Sequence, residues 1–373
     1  MKNLLLVSNF YSQFISSGTS QRTRDIKKGM QGLGWNCKVV TIKRGELPIE
    51  KEEDMSEIIS LKIIFERYPI PIFSIEKLFY SILRSNIVHI IDHWSLLNIY
   101  SVVFCLLTNT PYVFSPCGAL KPTGKNIFIK KIYNVLFLKF ILKFASSIYV
   151  VTKNEYKEIM SMKINKHVEI YPNGVWKNKV KIRKINGWVN EKKIPNKYLL
   201  FLGRLSFIKG PDILLKAFIK SNINEIYSLV FAGPDDCMMD NMLAYYKKSK
   251  TKARIIFLGQ VNPEEKDFLF RNAELTIIPS RREAMSLVAI ESAFKETPFL
   301  ATDCCGLDSF YEEEAGFLCK ANDHSISENL NVILKNKKVL KEVGIKARKH
   351  VHSNYLWPKI ISKMNYSLSI LKR

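Results

Sequence analysis

Four side chains have the charge and spacing to hold a phosphorylated substrate. Arg204 and Lys209 lie in Phe201-Leu202-Gly203-Arg204-Leu205-Ser206-Phe207-Ile208-Lys209-Gly210-Pro211-Asp212. There an apolar run ends, Gly203 permits a tight turn, and Pro211 suits the first turn of a helix. Two cations therefore occupy a strand-to-helix loop, at the carboxyl ends of strands where doubly wound sheets bind ligands. Arg can fork onto two phosphate oxygens and Lys adds a point charge, which suits a diphosphate. A solvated basic loop would contain the same residues with no ligand at all.

Glu283 and Glu291 lie in Pro279-Ser280-Arg281-Arg282-Glu283-Ala284-Met285-Ser286-Leu287-Val288-Ala289-Ile290-Glu291. A strand over 275–278 gives way to a helix, with Glu283 just before or at its first turn. On one helix the two carboxylates would stand roughly 12 Å apart along the axis and about 80° apart around it. That separation lets one hold a sugar and the other a ribose, with a diphosphate at the helix N-terminus between them. It is too wide for the paired carboxylates of a glycosidase. The plainer alternative is a glutamate favouring the helix dipole plus one satisfied core glutamate. Glu291, amid Val288, Ala289, Ile290 and Ala293, needs a partner if buried.

The elements that must position these residues follow from alternating short apolar runs and helical patterns, which predict parallel sheets covered by helices. In the first half strands are expected at 4–7, 37–42, 87–91, 112–115, 147–151 and from Val168. A polar loop through Ser16-Ser17-Gly18-Thr19-Ser20 leads into a helix ending near Gly32, and Gly34 turns the chain into the second strand. A lysine-rich stretch, 176–197, has no clear period and marks the domain boundary. Strands then recur at 198–202, 228–232, 254–258, 275–278 and 299–302. Helices are expected over Pro211 to Lys220, Ser325 to Asn336 and Tyr355 to Leu371. Two Rossmann-like halves are the resulting α/β architecture.

Composition narrows the class. The chain has 373 residues, with 57 basic and 34 acidic side chains for a formal charge of +23, and is 47% apolar. That is enough for about two domains with proper cores and excludes a disordered or fibrous chain. No apolar run reaches ~18 residues, so no transmembrane helix is expected. The start, Met1 to Asn9, reads as a buried strand and not a secretion signal, so a cytoplasmic location is expected. Seven cysteines lack C-x-x-C spacing and the six histidines form no pair at helical spacing, so disulfides and metal have little support. The charge suggests nucleic acid, an anionic membrane face or phosphorylated substrates as partners. Nucleic acid is disfavoured, since no zinc module, aromatic RNP-like strand or helix-turn-helix accompanies the charge.

The E-x7-E pattern inside P-S-x-x-E-x-x-S-L-V-A-x-E at 279–291, followed by Thr297-Pro298 and Ala301-Thr302-Asp303, resembles the retaining GT-B glycosyltransferases of family 4. The resemblance extends to F-L-G-R-L-x-x-x-K-G at 201–210, Pro172-Asn173-Gly174, Ala232-Gly233-Pro234, Phe257-Leu258-Gly259 and Gly316-Phe317-Leu318 with Asp323. It covers nearly the whole chain and is strongest over 170–325. It implies two Rossmann-like domains facing a cleft: 1–174 on the acceptor side, a linker region over 175–197, and a nucleotide-sugar domain over 198–354. The helix in 355–373 would return to the first domain.

By the same resemblance, Arg204 and Lys209 hold and neutralise the departing diphosphate. Glu283 contacts the donor sugar, Glu291 holds the ribose, Ser286 and Leu287 offer backbone donors to phosphate, and Gly18 approaches the donor phosphates from the first domain. Glu283, Arg204 and Lys209 are thus the expected catalytic group, with no metal and no organic cofactor. Absence of a D-x-D after any strand agrees, with Arg and Lys supplying the charge that a cation would. The chain departs from its relatives at Cys117, where many have His, at Gly18, where two glycines are common, and at Glu296, usually glycine. His89 and His93 read as structural.

The expected activity is retaining transfer of a sugar from a nucleotide-diphosphate-sugar to a glycan hydroxyl. The acceptor would be a lipid-linked intermediate of a bacterial surface polysaccharide such as O-antigen, capsule or lipopolysaccharide. A catalytically inactive binding or partner protein on the same fold, or a nucleotide-sugar epimerase or phosphorylase, is the alternative. The apolar segment 125–145 adds a second partner. Lys125, Lys131, Lys139 and Lys143 fall within an arc of roughly 120° on a regular helix, so this face could sit on anionic lipid or be the solvated side of a core helix.

Overall fold

The computed structural model describes residues 2–9, 11, 18–42, 55–63, 74–122, 126–177 and 185–371. Ser16, Ser17, Lys125 and residues 178–184 of the lysine-rich stretch lie outside them. The chain divides into two compact units, Met1–Asn173 with Trp357–Arg373, and Gly174–Leu356.

The first unit is built on strands β1 (Asn3–Ser8), β2 (Asn36–Ile42), β3 (Ile58–Leu61), β4 (Ile87–Ile91), β5 (Tyr112–Ser115), β6 (Ser147–Val150) and β7 (Val168–Ile170). They form one parallel sheet in the order β3-β2-β1-β4-β5-β6-β7. Its interior strands are buried almost throughout; β4 reads Ile-Val-His-Ile-Ile with every residue covered. Continuous apolar runs of this kind are what a parallel sheet with helices on both faces requires. β3 was not expected from the sequence: Ile58-Ile59-Ser60-Leu61 is a short edge strand with one buried residue.

The last helix, Trp357–Ile370, packs within this first unit. Trp357 is fully buried, the Tyr149 hydroxyl donates to Ser367, Ser367 donates to Glu169, and the Trp35 indole donates to Asn365. At the end of β7, buried Arg22 donates to the carbonyls of Tyr171 and Pro172 and to Asn173 Oδ1, fastening the point where the chain leaves the unit.

The second unit repeats the scheme. Strands β8 (Tyr198–Leu202), β9 (Ser228–Ala232), β10 (Ile255–Phe257), β11 (Leu275–Ile278), β12 (Phe299–Thr302) and β13 (Phe317–Cys319) pair in parallel in the order β10-β9-β8-β11-β12-β13. In each sheet the direction of winding reverses beside the first strand, at β1/β4 and at β8/β11. Ligands of doubly wound sheets bind at that crevice.

Two sequence expectations change. The unpatterned stretch before β8 contains a helix, Ile185–Glu191, and belongs to the second unit. Trp188 and Val189 pack on that unit's core and Trp188 meets Phe268 edge-on; with buried Ile185 they fit a helical spacing, but over only seven residues inside a lysine-rich stretch. The polar helix after β13 ends at Ile333, and a separate helix, Lys337–Asn354, follows. Asn336 caps this second helix by accepting from the Val339 amide, which splits the run in two.

Candidate active site

The β8 and β11 loops meet because their strands are adjacent at the switch point of the second sheet. Gly210, with φ +69°, ends the first loop and opens helix Pro211–Lys220. A Cβ on Gly210 would land on the Pro279 carbonyl oxygen, so this left-handed glycine is what lets the two loops touch. The Arg281 amide then donates to the Ile208 carbonyl at 2.8 Å.

Arg281, which the sequence did not single out, is the rivet of this junction. It forks onto both Asp212 oxygens at 2.9 and 2.7 Å and donates to the Phe207 carbonyl at 2.6 Å. Its guanidinium also lies 3.9 Å from the Phe207 ring centroid. Burial pushes the Asp212 carboxyl up, but the Arg281 hydrogen bonds and charge outweigh that and hold it below the ordinary carboxylate value. The signal was present in the run Arg281-Arg282. Nothing in the sequence said that one of them spans to a residue 69 positions away.

This junction brings Lys209 and Glu283 together. Lys209 Nζ lies 2.8 Å from Glu283 Oε1, with the two side chains 28% and 9% exposed. The same oxygen accepts from the hydroxyl of buried Ser280 at 2.5 Å. Glu283 is not on the following helix, which begins at Leu287, so the helical separation of about 12 Å from Glu291 does not hold. Its backbone is instead tied to the next strand's loop, the Glu283 amide donating to the Cys304 carbonyl at 2.8 Å.

Ser286 also departs from expectation. Its amide, expected to face a phosphate, already donates to the Cys305 carbonyl at 3.0 Å, and its hydroxyl caps the helix by accepting from the Ala289 amide. The first-turn amides left without an intrahelical acceptor are therefore those of Leu287 and Val288. The loop after β12 is pressed against this turn: at Gly306, φ +62°, a Cβ would meet the Ala284 carbonyl.

The remaining expected residues have partners of their own. Arg204 Nη1 lies 3.2 Å from Asp236 Oδ2, both well exposed, in a loop zipped to the one after β9 by the Leu205–Asp235 bridge. Glu291 is held by Lys266 Nζ at 2.6 Å, from the neighbouring helix Pro263–Asn272. This supplies the partner that its apolar sequence setting demanded. Glu296 adopts φ +67°, the left-handed conformation that glycine takes without strain, and pairs with Arg348 at 2.8 Å. Among the described residues no group of three or more His, Cys, Asp or Glu could hold a metal ion.

In the first unit Gly18 is the exposed first residue of helix Gly18–Gly32 after β1. Cys117 and Gly118, in the loop after β5, both have positive φ, +52° and +80°. Buried Glu155 braces that loop, accepting from the amides of Gly118 and Val151. Burial pushes the Cys117 thiol up to about 12, so it is a neutral group there. His89 and His93 are interior: His89 Nε2 is 2.7 Å from Ser115 Oγ and His93 Nε2 2.9 Å from Asn134 Oδ1. Burial pulls them down to about 3 and about 4.

Residues 182–350 match the family described as glycosyl transferases group 1. An uncharacterized glycosyltransferase of Methanocaldococcus jannaschii is 27% identical over 187 residues, 50% of this chain and 47% of that protein. The D-inositol 3-phosphate glycosyltransferase of Corynebacterium diphtheriae is 25% identical over 208 residues, 53% of this chain and 47% of that protein. The aligned segments thus span about half the length of these relatives. Among solved structures, HepE of Anabaena in complex with UDP and glucose superposes with a TM-score of 0.81 at 14% identity, covering 100% of both chains. That likeness shows a shared fold, the GT-B class, in which each of two domains is a parallel sheet covered by helices.

Proposed function

We infer that this chain, whose residues 182–350 match the glycosyl transferases group 1 family, transfers a sugar from a nucleotide-diphosphate-sugar to a hydroxyl of a glycan acceptor with retention at the anomeric carbon. The observation that carries the reading is the Lys209–Glu283–Ser280 cluster at the switch point of the second sheet. A cation and a carboxylate are fixed there at the position where such folds bind nucleotides.

The roles follow from charge and reach. Lys209 and Arg204 neutralise the diphosphate as it departs, a charge that develops in the transition state and so lowers the barrier. Arg204 must exchange Asp236 for a phosphate oxygen to do so. The Leu287 and Val288 amides, at a helix N-terminus, add donors to the same anion. Both bonds to Glu283 fall on Oε1, leaving Oε2 to accept from a hydroxyl of the donor sugar. Glu291, held by Lys266, accepts from the ribose hydroxyls. The bond from the anomeric carbon to the phosphate oxygen breaks, the acceptor oxygen bonds to that carbon on the same face, and its proton passes to the departing phosphate. No step needs a metal ion.

The acceptor we propose is a lipid-linked intermediate of a bacterial surface polysaccharide. HepE, solved in complex with UDP-glucose, makes UDP-sugars the first donors to try. Incubating the protein with labelled UDP-sugars and lipid extracts, and following the anomeric configuration by NMR, tests the reading. Transfer with retained configuration, lost in Glu283→Gln, is expected; an inverted product, or release of sugar from the donor with no transfer, overturns it. Product analysis also separates a transferase from an epimerase or phosphorylase.

A further inference from the structure

The segment whose lysine face was expected either to sit on anionic lipid or to be the solvated side of a core helix is arranged differently. Residues 127–144 form one continuous rod made of helix Ile127–Tyr133, a π-helical turn Asn134–Leu138 and helix Lys139–Phe144. Its core contacts are Tyr133, Leu138, Ile141 and Leu142. Phe137 and Phe140, half-buried, pack against the same core. Val135 and Leu136, within the π turn, are turned outward, 80% and 60% exposed, as is Phe128 at 74%. Ile127, Ile129, Ile132 and Phe144 are exposed on the rod as well.

We propose that this rod is a bilayer-docking element that inserts Phe128, Val135 and Leu136 among the acyl chains of an anionic lipid surface. Charge selects that occupant. Between Asp92 and Glu155 the chain has no acidic residue, while it carries Lys121, Lys125, Lys130, Lys131, Lys139, Lys143 and Lys153. Lys131, Lys139 and Lys143 are exposed on the rod itself, where they meet phospholipid headgroups as the apolar tips insert. A second copy of the chain is a poor occupant, because a two-fold contact sets the same patch against itself and faces these lysines with lysines. No helix of the described residues is long and apolar enough to cross a membrane, so the contact is superficial.

The rod is also tied to the reacting edge of the first sheet. Asn134, at the start of the π turn, accepts from His93 Nε2 and the Trp94 indole, each at 2.9 Å, and donates to the Leu120 carbonyl at 2.7 Å. The Tyr133 hydroxyl donates to the Ser95 carbonyl. These partners sit in the loops after β4 and β5, at the carboxyl edge where a doubly wound sheet receives ligands. Lipid docking would thus hold that edge close to the bilayer surface, an arrangement that rests on the lipid-linked acceptor proposed above.

The test is flotation of the full chain with vesicles of phosphatidylcholine alone or with phosphatidylglycerol, no donor or acceptor being present. Wild type is expected to bind the anionic vesicles at least tenfold more tightly than the neutral ones. Phe128→Ser with Val135→Ser should lose tenfold or more on anionic vesicles, and Lys131→Gln with Lys139→Gln and Lys143→Gln should erase the preference for phosphatidylglycerol. Phe128→Trp adds a reporter, quenched by lipids brominated on the acyl chain if position 128 inserts. Equal binding by wild type and the serine variant, or no added quenching, overturns the proposal. So does self-association that the serine variant abolishes without any vesicle binding by wild type. Stabilisation by nucleotide diphosphates should be unchanged in the serine variant, so failure here is distinguishable from failure of the transferase reading.

Discussion

Replacing Lys209 by Met removes one of the two partners of Glu283 Oε1 and leaves the carboxylate, 9% exposed, with only the Ser280 hydroxyl. Breaking a fully buried pair costs about 3–5 kcal/mol, and an exposed pair contributes about 0–1 kcal/mol. Lys209 retains 28% exposure, and the serine bond survives, so about 2 kcal/mol is expected, or roughly 4–8 °C in Tm for a domain of this size. Glu283→Gln keeps the shape and an acceptor for Ser280, and should cost about 1 kcal/mol. Together the two changes should cost about 1 kcal/mol less than their sum, because with a neutral amide at position 283 the loss of Lys209 strands no buried charge. Denaturant unfolding of wild type, both single variants and the double variant measures this directly. Additivity to within ~0.4 kcal/mol would refute the claim that the two loops assemble one coupled charge site.

Four further outcomes follow from other contacts. Asp236→Asn frees Arg204 from its only ion pair among the described residues, and should tighten nucleoside diphosphate binding severalfold by calorimetry. Unchanged or weaker binding would place Arg204 away from the phosphates. His89 and His93, held near 3 and 4 by burial, bind protons in the unfolded chain below about pH 6.5. Stability should therefore fall as pH drops from about 6 to 4, by up to about 1.4 kcal/mol per pH unit for each histidine. His89→Asn should reduce that slope by about half; an unchanged slope would contradict it. Gly210→Ala should destabilise by more than ~3 kcal/mol, since its Cβ meets the Pro279 carbonyl. Glu296→Gly, which relieves a left-handed backbone and loses a surface pair, should be neutral or stabilising by up to ~1 kcal/mol. Thermal unfolding of both variants checks this, and the opposite order would contradict the backbone argument.

The strands were legible because a parallel sheet buried on both faces leaves uninterrupted apolar runs: 87–91, 112–115, 198–202, 228–232, 275–278 and 299–302 coincide with β4, β5, β8, β9, β11 and β12. The edge strands Ile58–Leu61 and Phe317–Cys319, with one buried residue each, were not; Val168–Ile170 and Ile255–Phe257, edge strands with none, were legible from the Pro172-Asn173-Gly174 and Gly259 turns that follow them. Lys209 was legible as a loop cation and Glu283 as a carboxylate at a helix start, whereas their closeness depends on approaches at Gly210 and Gly306 to backbone far away in the chain, which the sequence does not pair with them. The helix start was misplaced by four residues because Ala284-Met285-Ser286 continues the helical pattern, while the tertiary bonds of Glu283 and Ser286 to the Cys304 and Cys305 carbonyls hold it in a loop. Likewise the segment 127–144 is so apolar that its sequence does not say which side faces in; the packing of Tyr133, Leu138, Ile141 and Leu142 on the core settles it.

The most direct measurement is thermal stabilisation of wild type and Lys209→Ala by UDP, GDP, ADP and CMP and their sugars. At about 100 times Kd a bound nucleotide stabilises by about 2.7 kcal/mol. One diphosphate should stand out, and its effect should disappear in Lys209→Ala. Flat responses at adequate concentrations, or an undiminished shift in the variant, would contradict a donor site built on Lys209.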